Sequence, residues 1–383
     1  MSEGSFDVLV IGAGIAGASL GACLASRRRI AILERESLPG YHSTGRSAAV
    51  FSETYGNAPV RALSRASRAL LFEPPAGFCD HPLVARRGSL HIAREDQRGE
   101  LEAFLALPDV AANAHAVGAG EAMDLCPILR PGYAVAAAHE PGAHDVDVAA
   151  LHQGYLRLVT VSGGRIVTGA EVGALEHGPG GWRVMTSAGV FEAAVVVNAA
   201  GAWADSLAAL AGLAGLDIVP RRRTAILVDA PPGIDIAAMP NTIDIDERFY
   251  FKPESGGLFL SPADETPSPP CDAQPDELDV AVGIDRVQTA TILEVDHVRR
   301  KWAGLRSFAP DRTPVIGFDA RAEGFFWLAG QGGYGIQTAP AAARLAAGLI
   351  LDASLADELA AYGVSAHDFT PDRFGRSTLP RVG

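Results

Sequence analysis

Cysteine is scarce in this chain, with four residues in 383, and the four are far apart. Cys23, Cys79, Cys126 and Cys271 show neither Cys-x-x-Cys nor metal-ligand spacing, which argues against a disulfide framework and a metal site. Positive charge is also short: 32 Lys and Arg stand against 45 Asp and Glu, a formal net charge of −13. A chain of that sign is a poor partner for a polyanion, so no nucleic-acid partner is expected. Long apolar runs are nearly absent. Val8 to Ala25 carries no charge and is followed by Arg27-Arg28-Arg29, but glycines interrupt it and a second strand-like run follows. Glu3 and Asp7 stand where a secretory signal would be basic. The expectation is a cytoplasmic protein with no transmembrane or targeting segment.

What is present begins with Phe6-Asp7-Val8-Leu9-Val10-Ile11-Gly12-Ala13-Gly14-Ile15-Ala16-Gly17, a strand-like run ending in Gly-x-Gly-x-x-Gly. A small-residue helical stretch runs to Ser26, and Ile30-Ala31-Ile32-Leu33-Glu34 forms a second run closed by an acid. This is the dinucleotide-binding fingerprint in its proper setting. Gly12 permits the tight turn, Gly14 lets a pyrophosphate approach the backbone, and Gly17 lets the helix pack close to the sheet. The helix start offers free N–H groups and a positive dipole end. Glu34 can accept from ribose hydroxyls, which favours FAD or NAD over a 2′-phosphorylated cofactor.

The length suggests two domains, and 48% hydrophobic residues are ample for two cores. Pro39 to Ala49 is dense in small and hydroxyl residues; His42, Ser43, Thr44, Arg46, Ser47 and Ala48 suit a second pyrophosphate- and flavin-contacting segment. Helices are expected over 61–72, 97–107, 119–125, 146–161 (capped by Asp145 or Asp147) and 339–351. Strands are expected over 89–93, 165–167, 182–186, 190–198, 220–228, 248–253, 257–260 and 325–329. Residues 261–276 read as a proline-rich loop, 277–294 as mixed structure, and 369–383 as a loose tail. Two later strands run into small-residue turns before helices: Ala194 to Asn198 into Ala200-Gly201-Ala202-Trp203, and Phe325 to Ala329 into Gly332-Gly333-Tyr334-Gly335-Ile336-Gln337-Thr338. Both give backbone room to lie against a cofactor.

Val10 to Ser19, Pro39 to Ala49, Pro74 to Cys79, Leu151 to Arg157, Val197 to Trp203, Trp302 to Phe308 and Gln331 to Thr338 span nearly the whole chain. Through them the sequence resembles the FAD-dependent D-amino-acid oxidase and glycine oxidase superfamily, and within it the bacterial D-arginine dehydrogenases. The resemblance implies an α/β protein, α+β overall. Its Rossmann-like FAD-binding domain (1–78, 143–216 and 309–383) would be interleaved with a mixed-sheet substrate-binding domain (79–142 and 217–308). It implies non-covalent FAD, held by the fingerprint, by Glu34 and Arg35, by the 42–48 segment, by Val172, by Ala200, Gly201 and Trp203, and by Gly332 to Thr338. It also implies site residues: Arg223 and Arg306 for a substrate carboxylate, Tyr55 and Tyr250 closing over it, and the Gly333 carbonyl accepting from the amine. Val50, Ser52 and Ser89 would line the side-chain pocket. Val50 stands in place of a family histidine, and Ser89 in place of the glutamate that faces arginine's cationic tail.

The chemistry expected is oxidative deamination of a D-amino acid, with neutral side chains preferred to D-arginine because a buried cation needs a partner. Guanidinium groups would fix the carboxylate bidentately, and FAD would supply the redox chemistry. The alternatives are a flavoenzyme acting on a secondary amine, glycine or a 2-hydroxy acid, and a non-catalytic FAD-binding subunit. No motif specifies the electron acceptor, which could be a quinone, an electron-transfer protein or oxygen.

Overall fold

The computed structural model of the chain describes residues 2–352 and 355–375. The architecture is α/β, built on two large sheets that face each other across a cavity.

The first sheet has a parallel centre in the order Phe325–Ala329, Gly189–Asn198, Ser2–Ile11, Ile30–Leu33, Arg165–Val167. Val8 stands in register with Val195 on one side and Ile30 on the other. The central strand is covered on both faces, which is why it reads as an unbroken apolar run. Val8 and Val10 enter a core with Leu20, Leu63, Val159 and Leu345 from four helices. Leu9 and Ile11 enter the opposite core with Trp182, Val184, Ala204 and Leu207. The hairpin Val172–Gly178 and Gly181–Thr186 pairs antiparallel with the first half of Gly189–Asn198. Val315–Phe318 pairs antiparallel with Phe325–Ala329.

Helix starts follow local chemistry. Asn57 caps Ala58–Phe72 by accepting from Val60 N (3.2 Å), with proline in the first turn. Asp147 caps Val148–Val161 by accepting from Ala150 N (2.8 Å). Asp145 does not cap: it pairs with Arg87 and Lys252, both at 2.7 Å, inside the short strand His144–Val146. The expected helix from 146 therefore begins two residues later.

The second sheet has nine strands and runs Thr266–Pro267, Val219–Val228, Gly257–Ser261, Tyr250–Glu254, Asn241–Asp244, Ser89–Ala93, Ala136–Glu140, His115–Gly118, with Val298–Phe308 also on Val219–Val228. It is antiparallel except where Asn241–Asp244 meets Ser89–Ala93. Alternation sorts its side chains. Leu90, Ile92, Ile226, Val228, Phe251 and Leu260 form a core closed by Val280 and Val287 of helix Glu277–Ala290. The intervening residues, Arg223, Ala225, Tyr250 and Phe259, line the cavity toward the first sheet.

Three expectations are corrected. The stretch 277–294 is mainly one helix, Glu277–Ala290, capped by Asp276. The proline-rich loop contains a strand, Thr266–Pro267, in register with Arg222 and Arg221. The tail is anchored at its start: Phe369 is fully buried and its carbonyl accepts from Ile316 N at 2.8 Å. A single 3-10 turn, Pro371–Phe374, follows it. The rest of that expected tail, 376–383, lies outside the described residues. Among the described residues, no helix is long and apolar enough to cross a membrane.

Candidate active site

A cavity of about 430 Å³ runs between the sheets, from the fingerprint turn to the strands that carry Arg223, Tyr250 and Arg306. At the nucleotide end, glycine is obligatory at two points. A Cβ on Gly17 would fall 1.9 Å from the Gly12 oxygen, and one on Gly12, at φ +107°, would fall 2.4 Å from the Ala199 oxygen. Helix Ile15–Leu24 has no acid in its first turn and no side-chain cap on Gly14. The Thr44 hydroxyl accepts from Ile15 N at 3.0 Å, folding the 39–49 segment onto the helix start. Glu34 is buried, and its carboxylate accepts from Ala13 N (2.8 Å) and Glu36 N (3.0 Å) while lining the cavity. The Arg35 guanidinium lies 4.8 Å from the Trp203 ring centre and is paired with Glu36 at 3.2 Å. The His42 ring also packs against the indole, with ring centres 4.8 Å apart. Arg35 is thus a stacking wall with its charge answered, not a free cation for a 2′-phosphate.

The structure distributes the remaining expected cofactor residues unevenly. Gly14, Ile15, Ala16, Ser43, Ser47, Ala48, Val172, Ala200, Gly201, Gly332, Gly333, Gly335 and Ile336 line the cavity. Ala13 and Gly17 sit behind it; the Ala13 carbonyl meets His152 Nε2 at 2.8 Å. Tyr334 packs between Phe308 and Tyr55, Gln337 turns to Ser52 and Ser64, and Thr338 bonds its own helix. Arg46 lines the cavity, yet its guanidinium is committed to Asp272 and to the Ala273 (2.9 Å) and Ala303 (3.0 Å) carbonyls. It ties the 39–49 segment to the second sheet and is not a free phosphate ligand.

At the other end, Arg306 donates to Tyr55 Oη and Tyr250 Oη, each at 3.2 Å. Among the described residues no carboxylate pairs with it, although Arg223 has one. Arg223 Nη2 lies 3.2 Å from Glu265 Oε1, its Nε donates to the Asp264 carbonyl at 2.9 Å, and Arg312 grips the same Glu265 with two bonds of 2.8 and 2.9 Å. The two arginines are therefore unequal: one shares the Glu265 carboxylate with Arg312, and among the described residues the other has two neutral hydroxyls as its hydrogen-bond partners at the cavity. The tyrosines diverge accordingly. Burial pushes the Tyr55 phenol up to about 12, with Arg306 opposing. Burial also acts to raise Tyr250, but Arg306 and Arg223 outweigh it and hold that phenol below its ordinary value. Gly333 closes the cluster: a Cβ there would fall 2.7 Å from both the Tyr55 hydroxyl and the Arg306 Nη1.

The expected side-chain pocket residues do not line this cavity. Ser52 is buried, with its N–H on Gln337 Oε1 (3.0 Å) and its hydroxyl on Glu140 (2.7 Å). Ser89 is 1% exposed and stands in register with Asn241 and Glu140 on its two sides. Val50 is partly exposed and pairs with Asp145. Asn241 Oδ1 is buried without a partner. Arg86 is exposed; Arg87 is fixed by Asp145 at 2.7 Å and by the Ala237 and Met239 carbonyls. Arg87 lines a second cleft of about 1100 Å³, which shares Gly40, Thr44, Ser47 and Ala48 with the first. Sequence reasoning missed Glu140, Glu265, Arg312, Phe259 and Lys252. Alternation from Tyr250 places Lys252 on the same face, and that signal alone was readable.

A family profile described as "FAD dependent oxidoreductase" matches residues 7–349. Glycine oxidase of Geobacillus kaustophilus is 26% identical over 379 residues, covering 94% of this chain and 97% of that protein. Its crystal structure superposes with a TM-score of 0.79 at 24% identity, covering 91% of this chain and 95% of that one. L-proline dehydrogenase from P. horikoshii gives a TM-score of 0.81 at 21% identity, covering 99% and 100% of the two chains. At these identities the superpositions establish the fold.

Proposed function

We propose, for a chain that belongs to the family of FAD-dependent oxidoreductases, that it deaminates a D-amino acid with a neutral side chain by oxidation at Cα. The residues present fit FAD: a glycine turn that tolerates no Cβ, a helix start with no acid in its first turn, and Glu34 and Trp203 along the cavity. FAD, when bound, would supply the redox chemistry as the hydride acceptor; holding and orienting the substrate would fall to the chain's own residues. The observation that carries the reading is Arg306, a guanidinium open to the cavity whose only partners among the described residues are two phenols. An unanswered cation in such a place stabilises a bound carboxylate, and a planar fork fixes its orientation. Tyr55 and Tyr250 flank the same fork and can donate their hydroxyl protons to that carboxylate. Gly333 leaves open the space beside Arg306 that a Cβ would fill. The imino acid released would hydrolyse in water to a 2-keto acid and ammonia.

The preference for a neutral side chain rests on the lining of the cavity around Arg306: Ala225, Tyr250, Phe259 and Leu305 stand there, while the acids that line the cavity, Glu34 and Glu171, stand at its nucleotide end. Ser89, outside that lining, is beside the uncharged Asn241 in register. An acid does lie one strand away, Glu140 opposite Ser89, but its oxygens already accept three hydrogen bonds. A second reading, glycine or a secondary amine, is favoured by the full-length likeness to a glycine oxidase. The test is kcat/KM with an artificial acceptor across D-leucine, D-methionine, D-phenylalanine, D-arginine, glycine and proline. The proposal expects a neutral D-amino acid to lead. Glycine or proline leading supports the second reading, and D-arginine leading by tenfold refutes the neutral pocket.

A further inference from the structure

The proposed reaction leaves several buried acids without a role, and Glu140 is the one that reaches the segment before Tyr55. Glu140 ends the strand Ala136–Glu140 of the second sheet and is 2% exposed. Its Oε2 accepts from Ser52 Oγ (2.7 Å) and Thr54 Oγ1 (2.8 Å), and its Oε1 accepts from Glu53 N (2.8 Å). The three donors are consecutive, and the next residue is Tyr55. This segment lies between Val50–Phe51 and the helix Ala58–Phe72, in neither strand nor helix. Its backbone groups therefore need side-chain partners. Gln337 supplies one set from the first sheet's side, accepting from Ser52 N at 3.0 Å and donating to Ser52 O at 3.2 Å. Glu140 supplies the other from the second sheet.

We infer that Glu140 is a positioning residue: its carboxylate clamps Ser52-Glu53-Thr54 so that the Tyr55 hydroxyl stays on Arg306. The inference rests on the reading of Arg306 as a carboxylate anchor. Three features support it. The Tyr55 ring is wedged edge-on against Tyr334 at 4.9 Å, so a shift of the preceding residues would drag the hydroxyl off the 3.2 Å contact with Arg306. Glu53 turns its own carboxylate away to Arg68 at 3.0 Å, which leaves its N–H to Glu140 alone. The carboxylate of Glu140 spends three hydrogen bonds on the loop, one on Oε1 and two on Oε2, and is committed to that segment.

The experiment uses the full FAD-loaded chain with E140A, E140Q, Y55F and the double variant Y55F/E140A. Two readouts are the dissociation constant of propionate, followed by flavin absorbance, and KM against kcat for the best amino acid. The third is amide hydrogen exchange at 53–56. Positioning predicts that E140A weakens propionate and raises KM by roughly tenfold, the loss of about one good hydrogen bond at Tyr55, with kcat changed less than about threefold. E140Q, which keeps one acceptor and can donate to the hydroxyls, recovers most of the affinity. Y55F/E140A is no worse than the more affected single variant, because both act on one hydroxyl. Additive losses would overturn the inference, as would a change confined to the D-arginine to D-leucine ratio, which would make Glu140 a side-chain acid. If the parent binds no propionate, the Arg306 reading fails separately. Exchange then decides: unchanged protection at 53–56 in E140A refutes the clamp.

Discussion

Replacing Arg306 with methionine separates its two possible duties, holding the fold and holding a substrate. In the free protein the guanidinium makes two 3.2 Å bonds to phenol oxygens and pairs with no carboxylate among the described residues. A structural arginine would lose an ion pair on substitution; this one loses two neutral acceptors that can bond to water in the cavity. Removing a desolvated, unanswered charge in favour of an apolar side chain is neutral or stabilising, so the Tm of Arg306→Met should equal or exceed the parent's. The substrate complex is another matter. Losing one partner of a buried, hydrogen-bonded ion pair costs about 2–5 kcal/mol, roughly 30- to 4000-fold in kcat/KM. Arg306→Lys should fall between, because charge is kept and the planar fork is lost. FAD should stay bound in both. A third readout is internal: Arg306 is the stronger of the two cations holding the Tyr250 phenol down. In the methionine variant that phenol should titrate at higher pH, with burial then opposed by Arg223 and the Ser261 hydrogen bond but no longer by Arg306. Anaerobic rapid-mixing measurement of flavin reduction, thermal melts and ultraviolet titration cover the three effects. Reduction within threefold of the parent, or a Tm that falls in step with activity, would show that Arg306 is not the anchor.

Glu34→Ala should weaken FAD by roughly ten- to a hundredfold, since hydrogen bonds to a charged group are worth about 1.5–3 kcal/mol; titration of the apoprotein reads it. Gly17→Ala should yield no FAD-competent fold, because its Cβ would lie 1.9 Å from the Gly12 oxygen; refolding with FAD to a normal Tm would contradict this. Burial raises the Glu140 carboxyl despite its three donors. An acid whose folded pKa is raised contributes stability present below its unfolded value and lost as pH rises through the folded one. The Tm of E140Q relative to the parent should therefore improve as pH climbs from about 4 toward 7. Ser89→Glu would set a second carboxylate in register with Glu140, away from the cavity; it should lower Tm, recover part of the loss when E140Q is added, and leave the D-arginine to D-leucine ratio unchanged.

The nucleotide half was the more legible in the sequence. Its central strands are buried on both faces, its first turn needs glycine, and Asn57 and Asp147 cap two of its helices, so these local signals agree with the fold. The proposed carboxylate anchor was legible only through family likeness, because Tyr55, Tyr250, Arg223 and Arg306 come from distant segments that the fold brings together. What stayed hidden is what depends on pairing across strands. Glu265 sits in a stretch that reads as a bland proline-rich loop, yet it pairs with both Arg223 and Arg312. Glu140 precedes a turn with no motif, yet it faces Ser89 and grips the segment before Tyr55. Arg46 shows the reverse: residue type suggested a phosphate ligand, while its bonds run to Asp272, Ala273 and Ala303. Phe369 was assigned to a loose tail because one buried aromatic leaves no periodicity to read.

The most direct test is a single anaerobic turnover of the FAD-loaded protein with D-leucine and, separately, with L-leucine. Flavin absorbance, 2-keto acid and ammonia are followed together. The account predicts bleaching by the D-isomer, with one keto acid and one ammonia formed per flavin reduced, and little or none by the L-isomer. A flavin that neither isomer bleaches, nor any other neutral D-amino acid at high concentration, would contradict it.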